Sequence, residues 1–142
     1  MQWPLVLLFA TAIVAENTSP EEYAYCAMAQ HYRKKIEAFH KERRGEDDTM
    51  QYDCLLEVRA RRKQENDSYE LPSDYGVMKI KLARDNGKST DQNLIDAFNS
   101  IKGKNLRQMK NKKVTRYGCW GLFYPAIYKQ LSVLCLYDYK VE

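Results

Sequence analysis

Two apolar, aromatic-rich runs near the C-terminus predict a β-hairpin. The first run spans residues 115–124 and the second spans residues 131–139. Both are rich in aromatic and β-branched side chains, which favour strands. Pro125 interrupts the pattern between them and indicates a turn in the connection. The end of the chain is therefore expected to fold as two paired strands.

A cysteine in each arm sets the register of this hairpin. Directly opposite residues in an antiparallel pair have numbers with a constant sum, so pairing Cys119 with Cys135 places the reversal near Ile127. The same register puts three further pairs on one face. These are Tyr117 with Tyr137, Gly121 with Val133, and Phe123 with Leu131. A cross-strand disulfide is expected if the chain folds in an oxidising compartment.

Two amphipathic helices are predicted in the first half of the chain. The first begins at Ser19-Pro20-Glu21-Glu22, which has a capping residue, a proline at the first helical position and an acidic residue that completes a capping box. It is expected to continue to about Arg44 and to stop near Gly45. The second runs from about Met50 to Gln64. Their apolar positions are expected to form a core.

A strand and a third helix are predicted in the middle of the chain. Residues 77–82 alternate apolar and basic side chains, which is typical of a half-buried or edge strand. Asp85-Asn86-Gly87-Lys88 is a strong turn signal. Ser89 or Thr90 can then cap a helix that extends to about Lys102. Residues 102–116 are expected to be a basic loop that leads into the hairpin.

The N-terminal run indicates secretion. Residues 1–15 are uncharged, predominantly apolar and end with a small residue, which is typical of a signal peptide cut after Ala15. The run is too short to span a bilayer comfortably, so a signal peptide is favoured over an anchor. Residues 16–142 would then form one extracellular domain without a membrane span.

Four cysteines in such a compartment predict two disulfides with three formal pairings. If Cys119 pairs with Cys135, the pairing of Cys26 with Cys54 follows by elimination. Two antiparallel helices would bring Cys26 to Cys54 only if the first helix bends back or shifts. Whether Cys26 pairs within the chain or with another molecule therefore stays open. Asn17 and Asn66 each begin an N-glycosylation sequon.

The net charge of +4 is too small to indicate a nucleic-acid-binding protein. The sharpest asymmetry is the stretch 102–116, which has seven basic residues and no acidic one. They are Lys102, Lys104, Arg107, Lys110, Lys112, Lys113 and Arg116. This basic segment fits an anionic glycan, an acidic lipid surface or an acidic extracellular protein. The simpler interpretation is a solvated surface that keeps the protein soluble.

The sequence offers little catalytic chemistry. Its only histidines, His31 and His40, lie nine residues apart on the first predicted helix, or about 13 Å along its axis. They cannot share a metal ion at that separation, and the cysteines are assigned to disulfides. A nucleophile elbow of the G-x-S-x-G type is missing. We therefore expect no enzyme activity, no resident metal and no cofactor.

Three motifs resemble nematode secreted proteins of the CAP superfamily, the activation-associated or SCP/TAPS group. The segment Met50-x-Tyr52-Asp53-Cys54-x-Leu56-Glu57-x-x-Ala60 matches one of that group's patterns. Phe39-His40-x-x-Arg43 is similar to its first-helix motif, and Gly118-Cys119 with Cys135-x-Tyr137 is similar to its terminal hairpin. The resemblance implies an α+β fold, an α-β-α sandwich with a small antiparallel sheet between helices. It also implies the Cys119–Cys135 bridge.

The departures from the family shape the functional prediction. The "G-E-N" and "H-Y-T-Q" motifs, which supply the cavity tetrad of a full CAP domain, are not found in this sequence. The resemblance thus implies a shortened member that has lost the tetrad and acts as a secreted, non-enzymatic binding protein on extracellular or host partners. The alternatives are a carrier of a small apolar ligand such as a sterol or lipid, and a secreted nuclease or hydrolase. The oligomeric state is left open.

Overall fold

The computed structural model describes residues 26–142, so the predicted signal peptide and the sequon at Asn17 lie outside the described residues. Four helices and four strands follow one another along this part of the chain. They are α1 (Gln30–Arg44), β1 (Gln51–Tyr52), α2 (Cys54–Glu65), β2 (Gly76–Ala83), α3 (Thr90–Asn99), α4 (Gly103–Lys110), β3 (Arg116–Leu122) and β4 (Gln130–Tyr137).

The strands form one sheet in the order β1-β3-β4-β2. The hairpin register predicted from the cysteines is confirmed, because Cys119 lies opposite Cys135 and Tyr117 lies opposite Tyr137. The predicted strand at 77–82 is β2, which pairs antiparallel with β4 along its whole length. The expected small antiparallel sheet is therefore present, except that β1 pairs parallel with β3 at its edge and makes the sheet mixed. A two-residue strand has no alternation that a sequence pattern could reveal.

Helices cover both faces of the sheet, as the α-β-α expectation requires. On one face, Ile36 of α1, Phe98 of α3 and Met109 of α4 share the main core with Met78 and other inward residues of the sheet. On the opposite face, α2 packs Ala60 against Leu134 and Leu136 in a smaller cluster. We call this second face of the sheet the outer face.

The predicted start of the first helix at Ser19-Pro20-Glu21-Glu22 lies outside the described residues. Within them α1 begins only at Gln30, and Cys26 lies in a non-helical segment ahead of it. Cys26 therefore reaches Cys54, at the start of α2, without any bend in the helix, and the two form a disulfide with a Cα–Cα separation of 4.7 Å. The second disulfide joins Cys119 to Cys135 across the hairpin, with a Cα–Cα separation of 4.0 Å.

The basic segment is helical where a loop was predicted. The third helix ends at Asn99, and α4 begins at Gly103, whose φ of +61° lies in the left-handed region that favours glycine. Only Gln108 and Met109 of α4 are buried. The helix is amphipathic, but it has only eight residues and two buried ones, which is too short a stretch for helical periodicity to be recognised in the sequence.

Gly118 lets α2 lie directly against β3. A Cβ atom at this position would come within 2.2 Å of the backbone nitrogen of Glu57 and within 2.7 Å of the carbonyl oxygen of Asp53. Both atoms belong to the first turn of α2, which cannot move aside as a flexible side chain can. The absence of a side chain at Gly118 thus fixes how closely helix and sheet approach each other.

We expect Gly118→Ala to lower the free energy of unfolding by about 1–3 kcal/mol, because the added methyl group forces α2 away from β3. Urea denaturation followed by circular dichroism measures this change. Gly87→Ala, in an exposed turn, is the control and should cost far less. Equal losses in the two variants would contradict the close approach.

Candidate functional site

The two histidines lie in opposite environments. His31 is exposed, and its Nε2 lies 2.9 Å from the carboxylate of Asp91. His40 is only 1% exposed and lies in the main body of the domain. The sequence alone favours a surface or boundary position for both histidines, and this expectation is wrong for His40.

His40 is held as a neutral imidazole between a helix carbonyl and a tyrosine. Its Nδ1 lies 2.8 Å from the carbonyl oxygen of Ile36, which can only accept, so Nδ1 carries the proton. Its Nε2 lies 2.7 Å from the Tyr137 hydroxyl and therefore accepts from it. The ring also stacks on Tyr117 with a centroid distance of 4.0 Å. This arrangement makes His40 a structural link between α1 and β4.

Burial controls the charge state of this group. It lowers the pKa of His40 from 6.5 to about 3, with nearby Arg44 and Arg43 adding to the effect and the Ile36 hydrogen bond opposing it. Burial likewise raises the pKa of Tyr137 well above its ordinary value of 10.0. Neither group is therefore charged near neutral pH, and neither is suited to exchange protons with a ligand there.

Folding should become less stable as the pH falls through the range in which an unfolded histidine gains its proton. The pKa of His40 is lower in the folded protein than in the unfolded chain. The stability that comes from burying the neutral imidazole is therefore fully present above about pH 6.5 and is lost progressively as the pH falls towards 3. We expect a loss of about 2–3 kcal/mol between pH 6.5 and 4.5, measured by urea denaturation at each pH.

His40→Gln should remove most of this pH dependence while lowering stability at pH 7. His31→Gln, which changes the only other histidine, is the control and should keep the dependence. A His40→Gln variant that retains the full slope would show that other groups cause it.

Glu57 appears in the sequence only as one position of the family motif, and in the structure it is a buried carboxylate. Its Oε2 accepts hydrogen bonds from the backbone N–H groups of Ala27 at 2.6 Å and Met28 at 3.3 Å. Its Oε1 accepts from the Tyr52 hydroxyl at 2.7 Å. Burial and the adjacent Glu57 charge both raise the pKa of Tyr52. Together with the Cys26–Cys54 bridge, this carboxylate fixes the segment ahead of α1 against α2.

Glu57→Gln should destabilise the fold by about 3 kcal/mol, because the amide supplies a donor where the site needs an acceptor. Amide hydrogen exchange at Ala27 and Met28 should accelerate more than exchange in the hairpin. Glu65→Gln is the matched control, since Glu65 is exposed and pairs only with Arg61 at the surface. Unchanged protection of residues 27 and 28 would contradict this role.

Arg44 fixes the basic segment to the end of α1. Its guanidinium pairs with Asp48 at 2.7 Å and donates to the backbone carbonyls of Met109, Asn111 and Val114. Burial alone would raise the pKa of Asp48, but its hydrogen bonds with Arg44 and the Arg44 charge outweigh burial and lower it. The chain from the end of α4 to β3 is therefore held by a buried ion pair.

The basic segment is exposed but only partly free. Arg116 pairs with Asp53 at 3.5 Å, the Lys113 ammonium lies over the Tyr139 ring, and Lys112 donates to the Arg44 carbonyl. The other four basic residues have no acidic group within 4.0 Å among residues 26–142. They are Lys102, Lys104, Arg107 and Lys110, and all four are exposed.

The spacing within α4 groups three of these charges. Lys104, Arg107 and Lys110 recur every third residue, which places them along one side of the helix over about 9 Å. On the other side, buried Gln108 donates to the Tyr139 carbonyl at 2.6 Å and accepts from the Val141 N–H at 2.9 Å. The segment predicted as a basic loop therefore contains an ordered basic surface. We call the surface formed by Lys104, Arg107 and Lys110 the α4 surface.

The only close group of potential metal ligands within residues 26–142 includes both cysteines of a disulfide. His40, Cys119 and Cys135 are the one set of three metal-ligating side chains found close together in the described part of the chain. Both sulfur atoms belong to a disulfide and cannot ligate an ion. A cleft of about 240 Å³ above His40 is lined by charged and polar groups, including Glu37, Lys41 and Asp48.

No helix within residues 26–142 is long and apolar enough to cross a membrane.

The tyrosines of the hairpin region differ in exposure. Tyr137 is fully buried and Tyr139 is half-buried, whereas Tyr124 is 67% exposed. Asn66, the start of the second sequon, is exposed and caps the C-terminal end of α2.

The sequence does contain a signal for Glu57. The spacing Cys54-x-x-Glu57 places the two side chains next to each other on one side of a helix.

The comparisons agree with this fold. A family model described as "Ancylostoma-associated secreted protein related" matches residues 20–137. The fold is similar to that of the Ancylostoma-secreted protein Ac-ASP-7, with a TM-score of 0.70 and 24% identity, covering 82% of this chain and 73% of that one. A structure of Ac-ASP-7 is described as manganese-bound. Comparison with curated proteins gives no significant match.

Two more distant structures share the fold. NaASP2, solved with Zn²⁺, has a TM-score of 0.58 and 14% identity, covering 81% of this chain and 88% of that one. Venom allergen-like protein 4 of Schistosoma mansoni has a TM-score of 0.51 and 15% identity, covering 77% and 88%. At these identities the structures show a common fold alone.

Proposed function

Because the chain belongs to the Ancylostoma-associated secreted protein related family of the CAP superfamily, we propose that it is a secreted, non-enzymatic protein that binds an anionic extracellular partner through the α4 surface. The family and its structural relatives indicate an extracellular binding role in general. The α4 surface is the feature of this chain that gives that role a chemistry.

One observation carries the proposal: the charges of the α4 surface lack partners within the described chain. Lys104, Arg107 and Lys110 lie along one side of a helix, and no carboxylate lies within 4.0 Å of them in residues 26–142. Like charges at this spacing repel one another, so they are unfavourable for the helix itself. An anionic partner would remove that repulsion, which favours binding.

The support beneath the α4 surface lowers the cost of binding. Arg44 holds the carbonyls at the end of α4, and Gln108 holds the C-terminal tail against its buried side. The backbone that carries the charges is already ordered, so a partner has to immobilise only side chains. This separates the α4 surface from an unstructured basic loop, which would lose more entropy on binding.

The site chemistry gives no support to an enzyme or a metal protein. The manganese and zinc named for Ac-ASP-7 and NaASP2 belong to those proteins. In the described part of this chain, the nearest approach to a metal site consists of buried His40 and two sulfur atoms of a disulfide. The donors therefore do not fit a resident ion.

A carrier of sterols or lipids is supported less well than a binding protein. Such a ligand needs an apolar enclosure. The cleft above His40 is lined by Glu37, Lys41 and Asp48, and its volume is only about 240 Å³.

We retain export through the predicted signal peptide at residues 1–15 as part of the proposal. Glycosylation at Asn17 and Asn66 also belongs to it, and an Asn66 glycan would project into solvent from the end of α2.

Immobilised heparin is a direct probe for an anionic glycan partner. Changing Lys104, Arg107 and Lys110 together to Gln should weaken binding about 10-fold or more at 0.15 M salt, because three exposed charge contacts are lost. Retention on the column as a function of salt measures this, and vesicles containing phosphatidylserine test a lipid surface in the same way.

The control is a second triple variant with the same loss of charge. Arg33, Lys34 and Lys41 on α1 are changed to Gln, and binding should stay within about twofold of the unaltered protein. Equal losses in both variants would assign binding to net charge and would refute a site at α4. Failure of the unaltered protein to bind either probe would refute the proposed partner chemistry.

A further inference from the structure

The outer face of the sheet is left uncovered beyond the end of α2. The helix ends at Glu65, and its last turn reaches Ser132 of β4, where Gln64 Nε2 donates to Ser132 Oγ at 2.8 Å. Beyond this contact, a groove of about 520 Å³ lies between α2 and the β3–β4 connection. We call it the hairpin groove, and it is separate from the α4 surface.

The sheet register places the floor of this groove. Ser132 lies opposite Leu122 of β3 on one side and Lys81 of β2 on the other. Opposite residues on one face are about 5 Å apart, so these three side chains form a row across three strands. Lys79 lies two residues from Lys81 on the same exposed face of β2.

The groove carries positive charge without a neutralising group. Lys79, Lys81 and Lys129 line it, and the lining includes no acidic side chain. None of the three has a carboxylate within 4.0 Å among residues 26–142. The groove is therefore complementary to an acidic ligand.

Two further features favour a polypeptide over other acidic ligands. Ile127 forms the rim and is 69% exposed, so a partner that also carries an apolar side chain gains by covering it. Gln64 Oε1 is buried and has no hydrogen-bond partner in the described structure, so the Gln64 amide must turn towards the groove before a peptide N–H can donate to it. A heavily sulfated glycan would leave Ile127 uncovered, and a flat bilayer would not reach the recessed Gln64.

The rim that carries Ile127 is held in place by a half-buried arginine. Arg84 follows β2 and donates from Nε to the carbonyl of Tyr128 at 3.0 Å, and from Nη2 to the carbonyls of Leu122 and Phe123. These bonds fix both ends of the β3–β4 connection. The exposed residues at its tip, Tyr124 and Ile127, are thus presented on an ordered backbone, which reduces the cost of binding.

We propose that the hairpin groove binds an acidic segment of a partner protein, an extended peptide in which carboxylates flank an apolar residue. The carboxylates contact Lys79, Lys81 and Lys129, the apolar side chain packs on Ile127 and Leu122, and a backbone N–H donates to Gln64 Oε1. This site does not depend on the α4 surface, so either proposal can fail without the other.

A synthetic peptide tests the groove. The probe is a fluorescein-labelled peptide with one leucine flanked on each side by three aspartates, and fluorescence anisotropy measures its binding to the full mature protein. We expect micromolar binding that weakens at least tenfold in a Lys79→Glu, Lys81→Glu double variant and in Ile127→Asp. Replacing the leucine of the probe by glycine should weaken binding as Ile127→Asp does.

The matched control is the double variant Lys104→Glu, Lys110→Glu, which changes the net charge equally but alters only the α4 surface. It should bind the peptide within about twofold of the unaltered protein. Because the altered side chains are exposed, circular dichroism should show unchanged folding in all variants. In the unaltered protein, the backbone amide NMR shifts of residues 122 and 132 should change when the peptide is added.

Several results would overturn the proposal. Peptide binding that is lost equally in both double variants would show a response to net charge alone. Absence of binding to the unaltered protein at about 1 mM peptide would exclude the acidic peptide as ligand. Loss of heparin or phosphatidylserine-vesicle binding in the Lys79→Glu, Lys81→Glu variant, without any peptide binding, would assign the groove to a glycan or a lipid surface instead.

Discussion

The fold depends on the contact between the first turn of α2 and strand β3. Gly118 allows the backbones to touch, and from that position Glu57 accepts hydrogen bonds from Ala27, Met28 and Tyr52. A buried carboxylate is costly unless its acceptors are satisfied, and here three donors from two other segments satisfy it. The segment ahead of α1, strand β1 and the sheet are therefore brought to one helix turn. The Cys26–Cys54 bridge closes the same junction covalently.

This junction explains the motif that suggested the family. Asp53 caps α2 by accepting from the Leu55 N–H, Cys54 forms the bridge, and Glu57 receives the three donors. Leu56 and Ala60 are buried between α2 and the sheet. Each position of the motif thus has a packing or hydrogen-bonding role. A domain of this size has a limited core, so disulfides and buried polar contacts carry a larger share of its stability.

The sequence predicted the parts of the fold that local pattern determines. The hairpin register follows from two cysteines and a turn, and the alternation of β2 fixes which of its residues face the core. The start of α1 and the existence of α4 could not be predicted in this way. Both depend on tertiary partners. The segment ahead of α1 is held by Glu57 and the Cys26–Cys54 disulfide, and α4 is held by hydrogen bonds from Arg44 to its C-terminal end and from Gln108 to Tyr139.

The candidate site was predicted less well because its determinants are distant in sequence. The seven basic residues of the segment 102–116 are visible in the sequence, but only the structure separates the four that have no hydrogen-bonding or acidic partner among residues 26–142 from the three that contact Asp53, Tyr139 and Arg44. The hairpin groove joins the end of α2, two exposed lysines of β2 and the β3–β4 connection, and no sequence window contains all three.

Two arginines hold the backbone beneath the two proposed binding surfaces, the α4 surface and the hairpin groove. Arg44 and Arg84 each donate to three backbone carbonyls, one at the end of α4 and the other at the base of the β3–β4 connection. A planar guanidinium with five donors suits this task, whereas a lysine could not hold carbonyls in a fixed fork. The only imidazole in the core, His40, is likewise committed to hydrogen bonds with Ile36 and Tyr137. Polar groups that could perform chemistry are thus used inside the described domain to order its backbone, and the charges left unpaired are outside, where a partner can reach them.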